Sequence, residues 1–357
     1  MKSIFRSYFV LSFALGVFIL VMIGNTPAIR VSATMAQSSP KSIVKLKWAD
    51  YPPMTEERMV AFKHFVDRVA EISGGQVEIG IFPNEQLVKS REQLEAVMRG
   101  SIDMTSAPSP WFPSIIPLLN IVNEPTATSA EEFSRIISMT RDHLIPEFER
   151  LKLKLLFSHA QPRVSLLSAE KPLRHPNDME GMKIRAPGIH SGFVKAWGAA
   201  PVSIPQSEIY MALQRGVCDG VYCGMNSIFP ARLMEVTKFC TITPLWNSQA
   251  FVVMNYDTWN GLAANAKSWI QKAADEMAEF DANYAAKVDR EIQELIQERY
   301  KEFYVVPTSG PAYNEWVDPI RGIFLKMAVQ KAGSKAQEYY DAIVEAKSKY
   351  QAIKKQN

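Results

Sequence analysis

The feature that most constrains the fold is a short pattern that occurs twice in the chain. Residues 96–103 read Ala-Val-Met-Arg-Gly-Ser-Ile-Asp, and residues 212–219 read Ala-Leu-Gln-Arg-Gly-Val-Cys-Asp. In both copies the arginine falls in the last turn of a predicted helix, where a cation interacts favourably with the helix dipole, and the glycine supplies a left-handed C-terminal stop. Chance similarity is the alternative. A true repeat predicts one helix–Gly–strand unit in each of two similar lobes, with a ligand cleft where the lobes meet.

The segments around the first copy predict an α/β fold. Residues 43–49 alternate between apolar and polar side chains, as in a strand, and residues 77–82 form a second short strand closed by Pro83. Between these strands, apolar residues at helical spacing end at Gly74 and Gly75, and a further helix covers about 90–99. The order β-α-β-α within about 60 residues indicates a parallel sheet.

One long helix is predicted in the C-terminal third of the chain. From Trp269 to Leu295, apolar residues recur at steps of three and four. A single helix from about 260 to 300 would be about 60 Å long, which is enough to brace both lobes. The alternative is a pair of helices with a break near 281–283.

The first 36 residues predict export. Lys2 and Arg6 precede an uncharged apolar run from Tyr8 to Ile23, which is shorter than the roughly 20 residues that cross a bilayer as a helix. Small residues near Ala33 then offer a cleavage site, which completes the pattern of a secretory signal peptide. We predict that residues 1–36 are removed and that the protein resides in the periplasm. An uncleaved N-terminal anchor is the alternative.

Composition narrows the functional classes for the remaining chain. Residues 1–36 hold three of the 40 Lys and Arg residues and none of the 37 Asp and Glu residues. The rest is therefore balanced in charge and offers no basic face for nucleic acid. About 320 residues exceed the size at which a single core stops growing, which also favours two lobes. The three cysteines exclude a fold built on disulfides, although a Cys218–Cys223 bond stays open.

Catalytic motifs are not evident in the sequence. None of the five histidines forms a His-Glu-x-x-His motif, and residues 188–192 place their serine one position away from a Gly-x-Ser-x-Gly elbow. A phosphate-binding Gly-x-x-x-x-Gly-Lys-Ser/Thr loop does not occur either. We predict no catalytic residues, no metal site and no cofactor, with a secreted hydrolase as the alternative.

Several blocks resemble a known family, the substrate-binding proteins of tripartite ATP-independent periplasmic (TRAP) transporters. Residues 176–187 (PNDMEGMKIRAP), 198–201 (GAAP) and 207–220 match family blocks in order and spacing, and 82–87 (FPNEQL) fits as well. The resemblance implies an α/β, two-lobed fold of the periplasmic-binding-protein type, with a ligand cleft between the lobes and the long helix as a brace. It also implies capture of a small organic acid and its delivery to the permease subunits in the membrane. A monomer is expected, although the sequence does not determine the oligomeric state. A ligand-sensing subunit of a signalling receptor would share this fold and pocket.

The same resemblance suggests how the chain is divided. Lobe I is expected to comprise residues 42–160, completed by about 249–289, and lobe II residues 161–248, completed by about 290–345. Residues 346–357 are expected to form a C-terminal tail.

Two arginines are the main candidates for binding the ligand. The resemblance places Arg185, in the Lys-Ile-Arg block, at the ligand carboxylate, and its planar guanidinium can make two parallel hydrogen bonds to such a group. An internal ion pair is the alternative for Arg185. Arg163 matches a second arginine of the family that often faces the ligand, and a charge on the lobe surface is its alternative.

Further candidates carry over from the family at single positions. Many members follow the Asp-Gly of the second repeat with an asparagine that contacts the ligand, whereas this chain continues Val-Tyr-Cys-Gly. Pro108 stands where sialic-acid binders carry a glutamate, so sialic acid is disfavoured. A smaller or more apolar acid, with aromatic acids among the candidates, fits Trp111, Tyr222 and Trp246 better. The remaining predicted substrate-binding residues, for which core packing or surface exposure is the alternative, are Tyr51, Ser90, Gln206, Cys223 and Gln249.

Overall fold

The computed structural model describes residues 43–246 and 248–356. The predicted signal peptide lies outside the described residues. No helix within the described part of the chain is both long enough and apolar enough to span a membrane.

Eleven strands in the described residues form two sheets. The strands are β1 (Val44–Ala49), β2 (Val77–Phe82), β3 (Met104–Pro108), β4 (Leu153–Ala160), β5 (Val164–Ser168), β6 (Lys183–Arg185), β7 (Ala200–Val202), β8 (Gly220–Gly224), β9 (Phe239–Ile242), β10 (Gln249–Asn255) and β11 (Glu302–Val305). The first sheet has the order β2-β1-β3-β10-β4, and the second has the order β11-β9-β5-β8-β6-β7. Strands β1, β2 and β3 are parallel to each other, as are β6, β7 and β8. Each parallel set continues through an antiparallel strand, β10 in the first sheet and β5 in the second.

Helices cover both sheets. They are α1 (Glu57–Ser73), α2 (Gln93–Met98), α3 (Leu119–Val122), α4 (Ala130–Thr140), α5 (Ile145–Glu149), α6 (Ser191–Ala196), α7 (Ile209–Gln214), α8 (Tyr256–Gly261), α9 (Ala264–Arg299), α10 (Pro311–Val317), α11 (Ile323–Ala332) and α12 (Ser334–Gln356). Helix α1 buries Phe62, Phe65 and Val69 against Trp48 of β1, as the spacing of its apolar residues predicts. The two-lobed α/β architecture expected from the sequence is confirmed.

The sequence repeat corresponds to the same structural unit in each sheet. Gly100 after α2 and Gly216 after α7 both have a left-handed backbone, with φ of 73° and 67°. The aspartate that ends each copy accepts a hydrogen bond from a backbone N–H of the neighbouring parallel strand: Asp103 from Lys47 at 2.8 Å and Asp219 from Lys183 at 2.7 Å. In each copy, the helix therefore ends at a glycine with a left-handed backbone. The carboxylate of the last aspartate then holds the following strand in register with its parallel neighbour.

Helix α9 runs without a break through 281–283 and has 36 residues, so it is about 54 Å long. Its first half packs on the first sheet through residues such as Ile270 and Met277, whereas Ile296 near its end belongs to the core of the second sheet. The prediction of one long bracing helix is confirmed.

Two buried aspartates fasten α9 to the segment that crosses between the sheets. Asp281 accepts a hydrogen bond from the backbone N–H of Ala160, the last residue of β4, and Asp289 accepts one from the backbone N–H of Arg163, just before β5. Residues 161–163 are therefore held at both ends by the same helix.

The C-terminal segment departs from the expected division of the chain. Trp316, Ile320 and Phe324 pack into the core of the second sheet, but Tyr339 and Ile343 of α12 pack into a core of the first. Residues 346–356, expected to be a tail, continue α12 as helix. Val344 and Ile353 on the same helix stay exposed, so its apolar spacing alone does not show which lobe it covers.

The three cysteines, all within the described residues, are buried and free. The alternative of a Cys218–Cys223 disulfide is therefore wrong.

Candidate functional site

The cleft between the sheets lies at the carboxyl ends of their parallel strands. Tyr51 follows β1 and Trp111 follows β3 on one side, while Arg185 ends β6 and Gly224 ends β8 on the other. Ligands of open α/β sheets bind at this edge, because the loops that follow the strands are free to vary there. The topology thus brings together residues that are far apart in the sequence.

The two lobes touch each other across this cleft. The backbone N–H of Ile189 donates to the carbonyl of Pro110 at 3.3 Å. Gly188 approaches the same carbonyl so closely that a Cβ atom at this position would lie 2.1 Å from the oxygen, and its φ is 49°. Asn226 adds a second bridge by donating to the carboxylates of Glu56 and Glu57, each at 3.2 Å.

Arg185 is buried at the centre of the cleft. Its Nε donates to the carbonyl of Ile204 at 2.9 Å, which orients the guanidinium, but Nη1 is buried and has no hydrogen-bond partner among the described residues. The ion pairs found in the described part of the chain do not include Arg185, so its alternative role in an internal ion pair is not observed there. Burial lowers its pKa to about 10, which leaves the group charged at neutral pH. An unpaired buried cation is costly, and an anionic partner would remove that cost.

An inner cavity of about 50 Å³ lies next to Arg185. Gln161, from the crossing segment, lines it with a buried Nε2 that lacks a partner in the described structure. Arg58 lines it from the start of α1, where it pairs with Glu56 and donates to the hydroxyl of Tyr51. Two guanidinium groups and no acidic side chain line the described wall of this cavity, so it suits an oxyanion.

An outer cavity of about 530 Å³ adjoins the inner one. Trp111, Arg185, Pro187 and Gln206 line both cavities and so form the boundary between them. The ring of Trp111 packs against that of Tyr51 with centroids 4.5 Å apart.

The structure brings six of the nine predicted residues to these cavities. Cys223 lines the inner cavity, where burial raises the pKa of its thiol to about 11, so it faces the cleft as a neutral group. The other five are Tyr51, Ser90, Trp111, Arg185 and Gln206.

Arg163 lines neither cavity. Its Nε donates to Asp289 at 3.0 Å, and its guanidinium lies over the ring of Trp246, 5.0 Å from the centroid. The guanidinium of Arg163, which the sequence suggested as a ligand contact, is thus paired with Asp289 inside the protein. Trp246 packs on this guanidinium and lines neither cavity.

Tyr222 and Gln249 also lie outside the lining of both cavities. Tyr222 is fully buried in the core of the second lobe, where its ring contacts those of His190 and Trp197. Gln249 is fully buried at the start of β10. The repeat predicted the strand that holds Tyr222, but the local sequence did not determine which side chains point toward the cleft.

Sequence reasoning missed several residues that the structure places at the site. Arg58 lies just before the apolar residues of the predicted helix, and their spacing did not indicate that a charged side chain would be buried there. Gln161 lies in the loop between β4 and β5, where no periodic pattern indicates the direction of a side chain. Arg91 lines the outer cavity next to Ser90. Since Ser90 was predicted, the positive charge of the next residue could have indicated that Arg91 also lies at the site.

The fold and cleft define a class of protein, a two-lobed solute-binding protein. Residues 49–331 match the family model described as bacterial extracellular solute-binding protein, family 7, also named DctP. The chain belongs to this family, which confirms the resemblance seen in its motifs. The family is one of solute-binding proteins and not of enzymes.

Individual relatives are distant but extend over most of the chain. The 2,3-diketo-L-gulonate-binding periplasmic protein of Escherichia coli is 26% identical and the match covers 79% of this chain and 84% of the relative. The C4-dicarboxylate-binding periplasmic protein of Rhodobacter capsulatus is also 26% identical, with 75% and 87% covered. A Bordetella pertussis extracytoplasmic solute receptor binding pyroglutamic acid has a similar crystal structure, with a TM-score of 0.78 and 20% identity, covering 84% of this chain and 99% of that one. This structural likeness supports the fold.

Proposed function

We propose that the protein captures a small organic acid in the cleft and delivers it to the permease subunits of a TRAP transporter in the membrane. The observation that carries the proposal is Arg185, a buried guanidinium with a free Nη1 next to cavities whose described lining has no acidic side chain. A carboxylate bound there would supply the missing partner in a geometry that the planar guanidinium fits.

The comparisons support the same class of ligand. The named relatives bind 2,3-diketo-L-gulonate and C4-dicarboxylates, and the structural neighbour binds pyroglutamic acid. All of these are organic acids. Delivery to a membrane permease and export through removal of residues 1–36 are parts of the proposal that follow from the family and from the N-terminal pattern.

A thermal-shift screen of matched acids and amides tests the proposal. Each acid is compared with its own amide, which keeps the shape and removes the charge. An acid at about 100 times its Kd is expected to add about 2.7 kcal/mol to the free energy of unfolding, a rise of several degrees in Tm, and its amide is expected to add much less. Equal shifts for an acid and its amide would contradict the role of Arg185.

A further inference from the structure

The two cavities on either side of Arg185 differ in size by about tenfold, and this difference limits where a ligand can lie. The inner cavity has about 50 Å³ and the outer one about 530 Å³. A single water needs roughly 10–15 Å³ of such space, so the inner cavity holds no more than a few waters. Of these two cavities, only the outer one has room for the body of an acid whose carboxylate pairs with Arg185 at the boundary.

The walls of the outer cavity combine a set of apolar side chains with polar groups. One lobe supplies the aromatic side of the cavity and the other supplies a set of prolines and aliphatic side chains; the wall residues include Trp111, Phe112, Ile115, Pro187, Pro201 and Pro205. The polar groups include the serines Ser90, Ser191 and Ser203 and the amide of Gln206. A hydrocarbon ring placed between the aromatic side chains of one lobe and the prolines of the other would bury apolar surface on both sides.

The charges at this cavity are both positive. Arg91 lines it together with Arg185, and none of its described lining residues is acidic. Arg91 is exposed, whereas Arg185 is buried. The buried guanidinium is therefore the stronger attachment point for a single carboxylate, because screening by water weakens the exposed one.

We propose that the ligand is a monocarboxylic acid with an uncharged, apolar body of at least ring size, seated in the outer cavity while its carboxylate pairs with Arg185. This inference rests on the proposed function and specifies its substrate class. It assigns Ile115, Trp111 and the proline-rich loop at 201–205 to the selection of the ligand body.

Calorimetric titration with four acids tests the substrate class. Phenylacetate and acetate share a head group and differ only in the ring, while succinate and D-glucuronate represent a short diacid and a sugar acid. Phenylacetate is expected to bind at least about 30-fold more tightly than the other three, since the ring adds buried apolar area that acetate lacks. Binding of succinate or glucuronate without binding of phenylacetate would overturn this inference and leave the proposed function standing. Failure of all four acids, while another acid raises Tm more than its amide does in the thermal-shift screen, would also overturn this inference and leave the proposed function standing.

Two variants locate the ring and test for a second charge. Ile115→Ser removes an apolar wall and is expected to weaken phenylacetate binding about tenfold without affecting acetate, whereas Ile353→Ser, an exposed position on α12, is the matched control. An equal loss for both acids in Ile115→Ser would overturn the placement of the ring.

Comparison of terephthalate with phenylacetate tests for a second charge on the ligand. If terephthalate binds more tightly than phenylacetate, and if Arg91→Ala removes this preference, the ligand body is charged and the site is one for diacids. That result would overturn the uncharged body.

Discussion

Arg185 shows how a few local contacts prepare a site. It is the last residue of the three-residue strand β6, which pairs with β7 on one side and β8 on the other. This pairing fixes the backbone of Arg185 at the point from which its side chain extends into the cleft. The carbonyl of Ile204 then orients Nε and leaves Nη1 free. Burying this charge without a protein partner costs free energy, so we expect the cleft to favour an anionic ligand.

Arg163 is predicted to stabilise the protein instead of contacting the ligand. Its ion pair with Asp289 is buried, and removing one partner of such a pair typically costs about 3–5 kcal/mol. Arg163→Ala should lower the free energy of unfolding by about this amount, as measured by denaturant titration. Under conditions where the variant is folded, its ligand affinity should fall by less than about tenfold. A large loss of affinity with unchanged stability would return Arg163 to the list of ligand contacts.

His159 is predicted to make stability depend on pH. It is fully buried, and although burial favours the neutral form, the carboxylates of Glu57 and Asp281 raise its pKa to about 10. Because the folded state holds this proton more tightly than the unfolded one, the stabilisation is fully present below pH 6.5 and is lost as the pH rises toward 10. The free energy of unfolding should fall across this window by at most about 1.4 kcal/mol per pH unit.

Denaturant titrations of His159→Gln between pH 6.5 and 10 check this account. The variant cannot carry the charge, so its stability should fall much less than that of the parent between about pH 7 and 9, while the exposed His143→Gln control should follow the parent. Burial also raises the pKa of Glu56 to about 7. The stability linked to Glu56 is therefore lost as the pH rises from about 4.5 to 7, below the range in which His159 acts. A parallel slope in His159→Gln and the parent would contradict the assignment.

At the scale of elements, the cleft depends on two tight loops that meet. The loop after β3 presents the Pro110 carbonyl, and the loop after β6 meets it with Gly188 and Ile189. A side chain at Gly188 would collide with the carbonyl, so the loops can approach this closely only with glycine there. Proteins of this kind close their lobes on the ligand about a hinge, and we expect this contact to form on closure.

Gly188→Ala is predicted to hinder closure. Gly181→Ala is the matched control, because Gly181 also has a left-handed backbone, with φ of 75°, but has open space where a Cβ would lie. Both variants carry similar backbone strain, and only Gly188→Ala adds the collision. Ligand affinity should fall at least about tenfold in Gly188→Ala relative to Gly181→Ala.

Small-angle scattering measures closure directly in the same variants. Ligand should reduce the radius of gyration of the parent and of Gly181→Ala, and should reduce it less in Gly188→Ala. An unchanged radius in the parent at saturating ligand would contradict hinged closure.

At the scale of the whole molecule, the sequence predicted the parts that depend on local patterns. The repeat, the strand–helix order, the long helix and the position of Arg185 all follow from residues close together in the chain. The pairing of Arg163 with Asp289 could not be predicted, because Asp289 lies on α9, far from Arg163 in the sequence. The role of Arg58 and Gln161 and the packing of α12 likewise depend on contacts between distant segments.

The central claim is that Arg185 holds the ligand's carboxylate, and calorimetric titration of Arg185 variants with the acid selected in the screen tests it most directly. Arg185→Ala should weaken binding by roughly 30- to several-thousand-fold, because it leaves the carboxylate buried without its partner. Arg185→Lys should recover only part of the affinity, since a point charge does not reproduce the planar guanidinium. The exposed Arg215→Ala should bind like the parent. Binding by folded Arg185→Ala as tight as that of the parent would contradict the account.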